Sequence, residues 1–324
     1  MKSDPKASLC GFFNIHKPAG ITSHDVVAKC RRLLGIKQIG HAGTLDPAAT
    51  GVMVLAVGKA TRLLRFLNDD KAYRAEILLG LTTDSDDLEG QELTSCSAEQ
   101  VCRKVSEQAV RQTLQTFVGE IEQFPPVFSA IHVSGKRLYE LARNADDLEE
   151  LAALKAAVPL RKVSVHKLED IEIDLPIVRV TIDCSKGTYI RSIARDLGEK
   201  LGVGGTLKSL QRTRSGLFAL KEAKTLEELA ELKDSGNLEK ALTAVSQALP
   251  QEKLVLNREQ VGKLCLGQKI KLDDARPLAS TETFTLVQLR EDEQDNARLK
   301  DILIASIDSQ GVLSPEVVFG NVST

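Results

Sequence analysis

Asp46 lies in the stretch Gly40-His41-Ala42-Gly43-Thr44-Leu45-Asp46-Pro47-Ala48-Ala49-Thr50-Gly51, where small residues surround a single carboxylate. A carboxylate on a loop of small residues can be approached closely by a ligand and can act as nucleophile or base. Taken alone, Asp-Pro after Gly-Thr is equally a turn device. Two further segments carry groups able to work with it. His16-Lys17-Pro18-Ala19-Gly20-Ile21-Thr22-Ser23 holds a lysine and helix-capping hydroxyls, and Ser185-Lys186-Gly187-Thr188-Tyr189-Ile190-Arg191-Ser192 holds a tyrosine and an arginine. A guanidinium can grip a carboxylate through two hydrogen bonds and orient its oxygens. The chain has three tyrosines and no tryptophan, so Tyr73 and Tyr189 stand out. Taken alone, Arg191 is a helix-surface arginine, His41 a structural histidine and Tyr73 a core strand residue.

Several chemistries are excluded by spacing. Gly58-Lys59 and Gly135-Lys136 lack the earlier glycine of a phosphate loop, since Met53 and Ala130 stand there. The run Gly202-Val203-Gly204-Gly205 lacks the third glycine of a dinucleotide fingerprint. The five histidines show no metal-binding spacing, and the six cysteines form no CxxC pair. No metal and no cofactor is expected, and the cysteines read as free thiols.

The elements that must position these groups follow from periodicity. Gly11–His16 reads as a strand, and Thr22 or Ser23 caps a helix through Val26, Val27, Cys30, Leu33 and Leu34 that ends at Gly35. Residues 39–51 show no apolar period and read as a loop. Val52–Val57 is an apolar run suited to a buried strand, and Leu63, Leu64 and Leu67 suggest a short helix. Tyr73, Ala75, Ile77 and Leu79 alternate as a strand, as do Val178, Val180, Ile182 and Cys184. Asp84–Glu92 is an acidic turn-rich loop. Val110, Leu114 and Phe117 mark one helix, and Ile190, Ile193, Ala194, Leu197 and Leu201 another. Thr225 and Glu228 suit a capping box. After residue 250, short apolar runs between polar turns suit a small β-rich domain. The irregular alternation points to an α+β fold.

Read together, the segments KPxGxTS, GHxGTLDPxAxG, KAY at 71–73, SGKRLYELAR at 134–143, KGTYIRS at 186–192 and LxRTxSG at 210–216 resemble the bacterial tRNA pseudouridine-55 synthases of the TruB family. The resemblance spans about Gly11 to Gly216. It implies a mixed, mainly antiparallel central sheet flanked by helices and loops in a catalytic domain over residues 1–245. An RNA-gripping insertion would occupy about 124–155, and a small β-rich, PUA-like domain residues 250–324. The implied reaction cleaves a C1′–N bond and makes a C1′–C5 bond at a flipped-out T-loop uridine. Charge develops on the sugar, as in glycoside chemistry, so a carboxylate beside the anomeric carbon is required.

The resemblance assigns that role to Asp46, with Arg191 as its partner and Tyr189 beside the reacting uracil. Tyr73 would stack on the base, Leu210 wall the pocket, and His41 occupy the space that the base vacates. Gly43 and Leu45 would line the substrate, and Lys17, Lys136, Arg137 and Arg143 would contact phosphates. The family often has Asp where His16 stands, Tyr at Phe128 and Lys at His132.

Charge adds little. Residues 1–224 hold 32 Lys and Arg against 28 Asp and Glu, and residues 225–324 hold 11 against 17. A mildly basic body does not by itself establish nucleic-acid binding, and the acidic tail argues against strong RNA binding there. No apolar run is long enough for a membrane span and the N-terminus has no signal-peptide pattern, so a cytoplasmic protein is expected; the resemblance implies a monomer that acts on the tRNA T stem-loop without a protein partner. Two other readings share the motifs: a guide-RNA-dependent pseudouridine synthase, for which the short acidic tail is a poor fit, and a tRNA-folding chaperone without chemistry.

Overall fold

The computed structural model describes residues 9–129, 132–133, 136–138, 141, 154, 158–272, 284–290 and 299–320. The chain begins with strand β1 (Gly11–Lys17), almost wholly buried because it is paired on both sides. Helix α1 (Ser23–Leu34) follows. Thr22 Oγ1 accepts the Asp25 N–H, the Asp25 carboxylate accepts the Thr22 N–H, and Gly35 ends the helix at φ 69°. Val26, Val27, Cys30 and Leu34 face inward at helical spacing.

Next come β2 (Ile39–His41), β3 (Thr50–Val57), β4 (Lys71–Leu79) and the hairpin β5 (Leu81–Thr83) with β6 (Glu92–Ser95). Helices α2 (Ala98–Lys104) and α3 (Glu107–Gln115) lead to β7 (Gly119–Gln123), and β8 (His132–Val133) pairs with β9 (Lys136–Arg137). Two long strands, β10 (Arg161–Asp174) and β11 (Ile177–Cys184), precede helix α4 (Ile190–Lys200). Then come β12 (Gly205–Ser215), β13 (Phe218–Ala219), α5 (Leu226–Asp234), β14 (Leu242–Thr243) and α6 (Val245–Ala248).

These strands make a ten-stranded sheet in the order β14-β1-β3-β12-β4-β11-β10-β7, with β2 on β3 and β13 on β12. Every pairing is antiparallel except β3 with β12, where Gln211 faces Thr50 and Arg212 faces Gly51. That parallel junction, at the centre of the sheet, places Arg212 beside the end of the Asp46 loop. On its other side Arg212 pairs with Tyr73 of β4, and Tyr73 pairs onward with Ile182 of β11. Gly51 has φ 106°, and a Cβ there would sit 2.2 Å from the Arg212 carbonyl oxygen, so the close approach requires glycine.

Helix α4 lies on the face of β4 and β11, burying Ile190, Ile193, Ala194 and Leu197 against Ala75, Ile77, Val178, Val180 and Ile182. The odd-numbered residues of β4 from Tyr73 to Leu79 enter this core while Arg74 and Glu76 point to the other face. A second sheet, ordered β15-β17-β18-β19-β16, comprises β15 (Lys253–Leu256), β16 (Ile270–Lys271), β17 (Phe284–Arg290), β18 (Leu299–Ile307) and β19 (Val312–Val318), with helix α7 (Arg258–Cys265) against it. Its Leu286, Ile304, Val317 and Phe319 share a core with Phe12, Val52, Val54 and Phe218 of the large sheet. The fold is α+β with a mixed, mainly antiparallel sheet and a β-rich C-terminal part.

Two local expectations change. Residues 39–51 are not all loop: Ile39–His41 forms β2 against β3, and β3 begins at Thr50 rather than Val52. A three-residue strand is too short to show a period. The helix expected around Leu63–Leu67 is a 3-10 segment over Gly58–Phe66. Most of the insertion at 124–155, including Arg143, lies outside the described residues. Of Lys136 and Arg137 only the strand they form is described. No helix among the described residues is long and apolar enough to cross a membrane.

Candidate active site

Asp46 stands on the loop between β2 and β3, and the KPxGxTS segment holds that loop from beneath. Ser23 Oγ accepts the Leu45 N–H at 2.8 Å and donates to the Leu45 carbonyl at 3.0 Å. The Gly20 N–H donates to the Pro47 carbonyl at 2.9 Å. Lys17 Nζ donates to the carbonyls of Pro18, Pro47 and Ala49 at 2.9, 3.0 and 2.7 Å. From the opposite side Arg212 donates to the carbonyls of Gly43, Thr44 and Val52 at 3.2, 3.4 and 2.6 Å. The loop is thus fixed on both flanks of Asp46, which leaves the Asp46 side chain 37 % exposed.

The other side of Asp46 meets the start of α4. Arg191 Nε lies 3.1 Å from Asp46 Oδ2 and its Nη2 lies 3.3 Å from Oδ1, a two-point grip. Arg191 is itself nearly buried and held by the Phe128 carbonyl at 2.9 Å, the Ser85 carbonyl at 3.2 Å and Asp87 Oδ2 at 3.5 Å. One helical turn on, Arg195 pairs with Asp86 at 2.8 Å and donates to the Phe124 carbonyl at 3.0 Å. The acidic 84–92 loop, legible in the sequence only as turns, therefore anchors the arginine that grips Asp46.

Tyr73 sits in the core with Leu45 and Ala49, close enough to Asp46 and Arg212 to feel both charges. Burial pushes the Tyr73 phenol pKa up. Leu210, two residues before Arg212, is partly buried against the same core. His41 Nδ1 accepts the Gly43 N–H at 3.3 Å, and burial lowers the imidazole pKa. Gly43 takes φ 122° and turns its carbonyl to Arg212. Tyr189 caps α4 without a side-chain hydrogen bond and packs on Val127, Leu138 and Val158. The buried Gln123 amide holds its backbone, accepting the Tyr189 N–H at 3.0 Å and donating to its carbonyl at 3.3 Å.

Two expected roles are corrected by this geometry. Lys17 is 0 % exposed, with its ammonium donating to three carbonyls, so it seats the Asp46 loop and cannot meet a phosphate. Leu45 is buried, with both main-chain polar groups used by Ser23, so it anchors the loop rather than lining the substrate. Asp46, Arg191, Tyr73, His41 and Gly43 are brought to one place.

Residues 31–190 match the N-terminal domain of the TruB family pseudouridylate synthases, and residues 191–255 match the C-terminal domain of tRNA pseudouridylate synthase B. A protein named tRNA pseudouridine synthase B from Nostoc sp. is 43% identical over 97% of this chain and 99% of its own length. The chain belongs to the TruB family. Another member of that name, from Moorella thermoacetica, is 44% identical over 88% of this chain and 91% of its own. Among solved structures, a Cbf5-Nop10-Gar1 complex aligns with 95% of this chain and 83% of its own chain at a TM-score of 0.65 and 26% identity. An H/ACA ribonucleoprotein bound to a substrate RNA containing 2′-deoxyuridine aligns with 99% and 92% at a TM-score of 0.66 and 23% identity, a likeness of fold.

Within this TruB chain the sequence did not single out Arg212, Asp86, Asp87 or Gln123 as parts of the site. LxRTxSG and the acidic run were visible, but only the sheet order and the placement of α4 show what they touch.

Proposed function

We propose that this chain isomerises the T-loop uridine at position 55 of tRNA to pseudouridine. Asp46 is the group that acts at the ribose. The observation that carries the reading is the two-point grip of Arg191 on the exposed Asp46 carboxylate, on a loop fixed from both flanks. A carboxylate held this way faces a developing positive charge on the sugar without having to reorganise. The C1′–N1 bond breaks, the base turns, C1′ bonds to C5, and the C5 proton is lost while N1 gains one. Nothing is oxidised or reduced, and the residues present suffice without a cofactor.

A uridine inside a folded T-loop must leave its stack to reach Asp46. Tyr73 stacks on the extruded base, Leu210 and Gly43 line its pocket, His41 meets the T-loop, and Tyr189 stands beside the uracil. The catalytic domain takes in residues 1–245 with the insertion at 124–155, and residues 250–324 form a PUA-like domain. The chain works as a cytoplasmic monomer on the T stem-loop.

The likeness to Cbf5 in its complex raises the guide-dependent reading, but relatives above 40% identity over nearly the whole chain are named for tRNA. Incubating the protein alone with unmodified tRNA and mapping pseudouridine by carbodiimide-blocked primer extension decides between them. A stop at position 55 without guide RNA supports the reading, and an unmodified tRNA overturns it.

A further inference from the structure

Two lysine ammoniums are buried beside the Asp46 loop, and their surroundings differ. Lys17 spends all three of its donors on carbonyls. Lys71, at the start of β4, is 8 % exposed, yet among the described residues its ammonium donates once, to the Asp69 carbonyl at 2.7 Å. The Asp69 carboxylate stands off at 3.9 Å and is held instead by Lys186 at 3.1 Å. A buried charge with unspent donors is costly, and burial lowers the Lys71 pKa. Strand alternation puts Lys71 on the same face as Tyr73. It stands in the row of Cys184 and Ser215, next to the row of Ile182, Tyr73 and Arg212. A Cβ at Gly43 would lie 3.3 Å from Lys71 Cε and 3.9 Å from its Nζ. The under-used ammonium is therefore beside the glycine proposed to line the base pocket, and two residues from the tyrosine proposed to stack on the base.

We propose that Lys71 contacts the substrate in the isomerisation: its unspent N–H groups meet a carbonyl oxygen of the extruded uracil and stabilise the negative charge that gathers there. This rests on the reaction proposed above. When the C1′–N1 bond breaks, its electron pair goes to the uracil and is shared with the carbonyl oxygens until C1′ bonds to C5. An ammonium already fixed in a site poor in water meets that charge without reorganisation. The arriving negative charge in turn favours the protonated amine. Uracil before bond cleavage is neutral and gains less from the contact, so Lys71 acts on the rate rather than on RNA binding. A backbone phosphate is a poorer fit, because it stays at the surface while Lys71 is almost closed to solvent. The fold thus keeps a charge that costs it stability until the substrate completes the set of partners.

The test compares wild type with Lys71→Met, which keeps the stem and removes the charge. Urea unfolding gives stability and filter binding gives the Kd. Single-turnover tritium release gives the rate on T stem-loops whose target is uridine, 2-thiouridine or 4-thiouridine, each labelled at C5. The variant should be at least as stable as wild type, because it loses one hydrogen bond together with a buried and under-partnered charge. On uridine RNA its rate should fall roughly a hundredfold, as for loss of one donor to a developing oxyanion, while Kd changes less than about twofold. A thiocarbonyl is a weak acceptor. On one of the two thiouridine RNAs wild type should therefore already be slowed, and Lys71→Met should cost less than about threefold more. Equal losses on all three RNAs overturn the proposal, as does a variant at the wild-type rate. A loss carried by Kd with a shallower salt dependence assigns Lys71 to a phosphate and also overturns it. A variant that loses stability, or shows no cooperative unfolding, makes the lysine a structural buttress and overturns it too. No release by wild type refutes the reaction itself, whereas release by wild type with any of these failures refutes the Lys71 proposal alone.

Discussion

Lys17→Met keeps the length of a fully buried side chain and removes its charge and its three donated hydrogen bonds. Two of those bonds, at 3.0 and 2.7 Å, join β1 to the carbonyls of Pro47 and Ala49 in the Asp46 loop, and the third goes to the Pro18 carbonyl at 2.9 Å. A hydrogen bond from a charged group contributes about 1.5–3 kcal/mol. Opposing this is the cost of burying an ammonium, which lowers the Lys17 pKa from 10.5 to about 8 and corresponds to roughly 3 kcal/mol. The balance leaves Lys17→Met less stable by about 3 kcal/mol, with the carbonyls of Pro47 and Ala49 unpartnered. The Asp46 loop then shifts, and a displacement near 1 Å costs about a hundredfold in rate. Urea unfolding and single-turnover tritium release measure the two effects. The variant should also lose a pH response. In the window between about 8 and 10.5 the unfolded chain holds the Lys17 proton and the folded chain does not, so wild type gains stability as pH rises. Lys17→Met lacks that rise. A variant with wild-type stability and rate, but weaker RNA binding and a shallower salt dependence, would return Lys17 to the phosphate backbone and refute the reasoning.

Other perturbations probe the remaining supports. Gly51→Ala places a Cβ 2.2 Å from the Arg212 carbonyl oxygen at φ 106°, which should lower stability by more than about 2 kcal/mol; a thermal midpoint within 2 °C of wild type contradicts it. Asp86→Asn leaves the buried Arg195 guanidinium with Asp196 as its remaining carboxylate partner in place of two, each at 2.8 Å, and should cost about 3 kcal/mol in urea unfolding, whereas a change below about 0.5 kcal/mol would mean the pair is dispensable. Arg191→Lys loses the two-point grip on Asp46 and should slow tritium release by about a hundredfold with little change in RNA affinity; an unaltered rate refutes the role given to that grip.

Much of this site was legible because its parts lie in short, unusual strings. Asp46 among small residues, Arg191 beside Tyr189, and few aromatics drew attention without any contact information. The β4 and β11 strands and helix α4 followed from period-two and helical spacing, and each carries or flanks a site residue. What stayed hidden depends on long-range placement. Lys17 has the appearance of a surface cation until β1 is known to be paired on both sides and the Asp46 loop to fold over it. Arg212 gains its meaning from a parallel pairing between strands 160 residues apart, with its Nε on the Val52 carbonyl. Asp86 and Asp87 read as solvated turn residues until α4 brings Arg195 and Arg191 against them. Type and spacing mark groups that can react, whereas sheet order decides which buried charges hold them.

The most direct test of the whole account is tritium release from a T stem-loop RNA labelled at uridine C5, with wild type and Asp46→Asn side by side. Asparagine keeps the size of the side chain and removes the charge that the site is built around. The account predicts release by wild type, none by Asp46→Asn, and equal RNA binding by both. Release by Asp46→Asn at the wild-type rate would contradict it, as would tight binding by both proteins with release by neither.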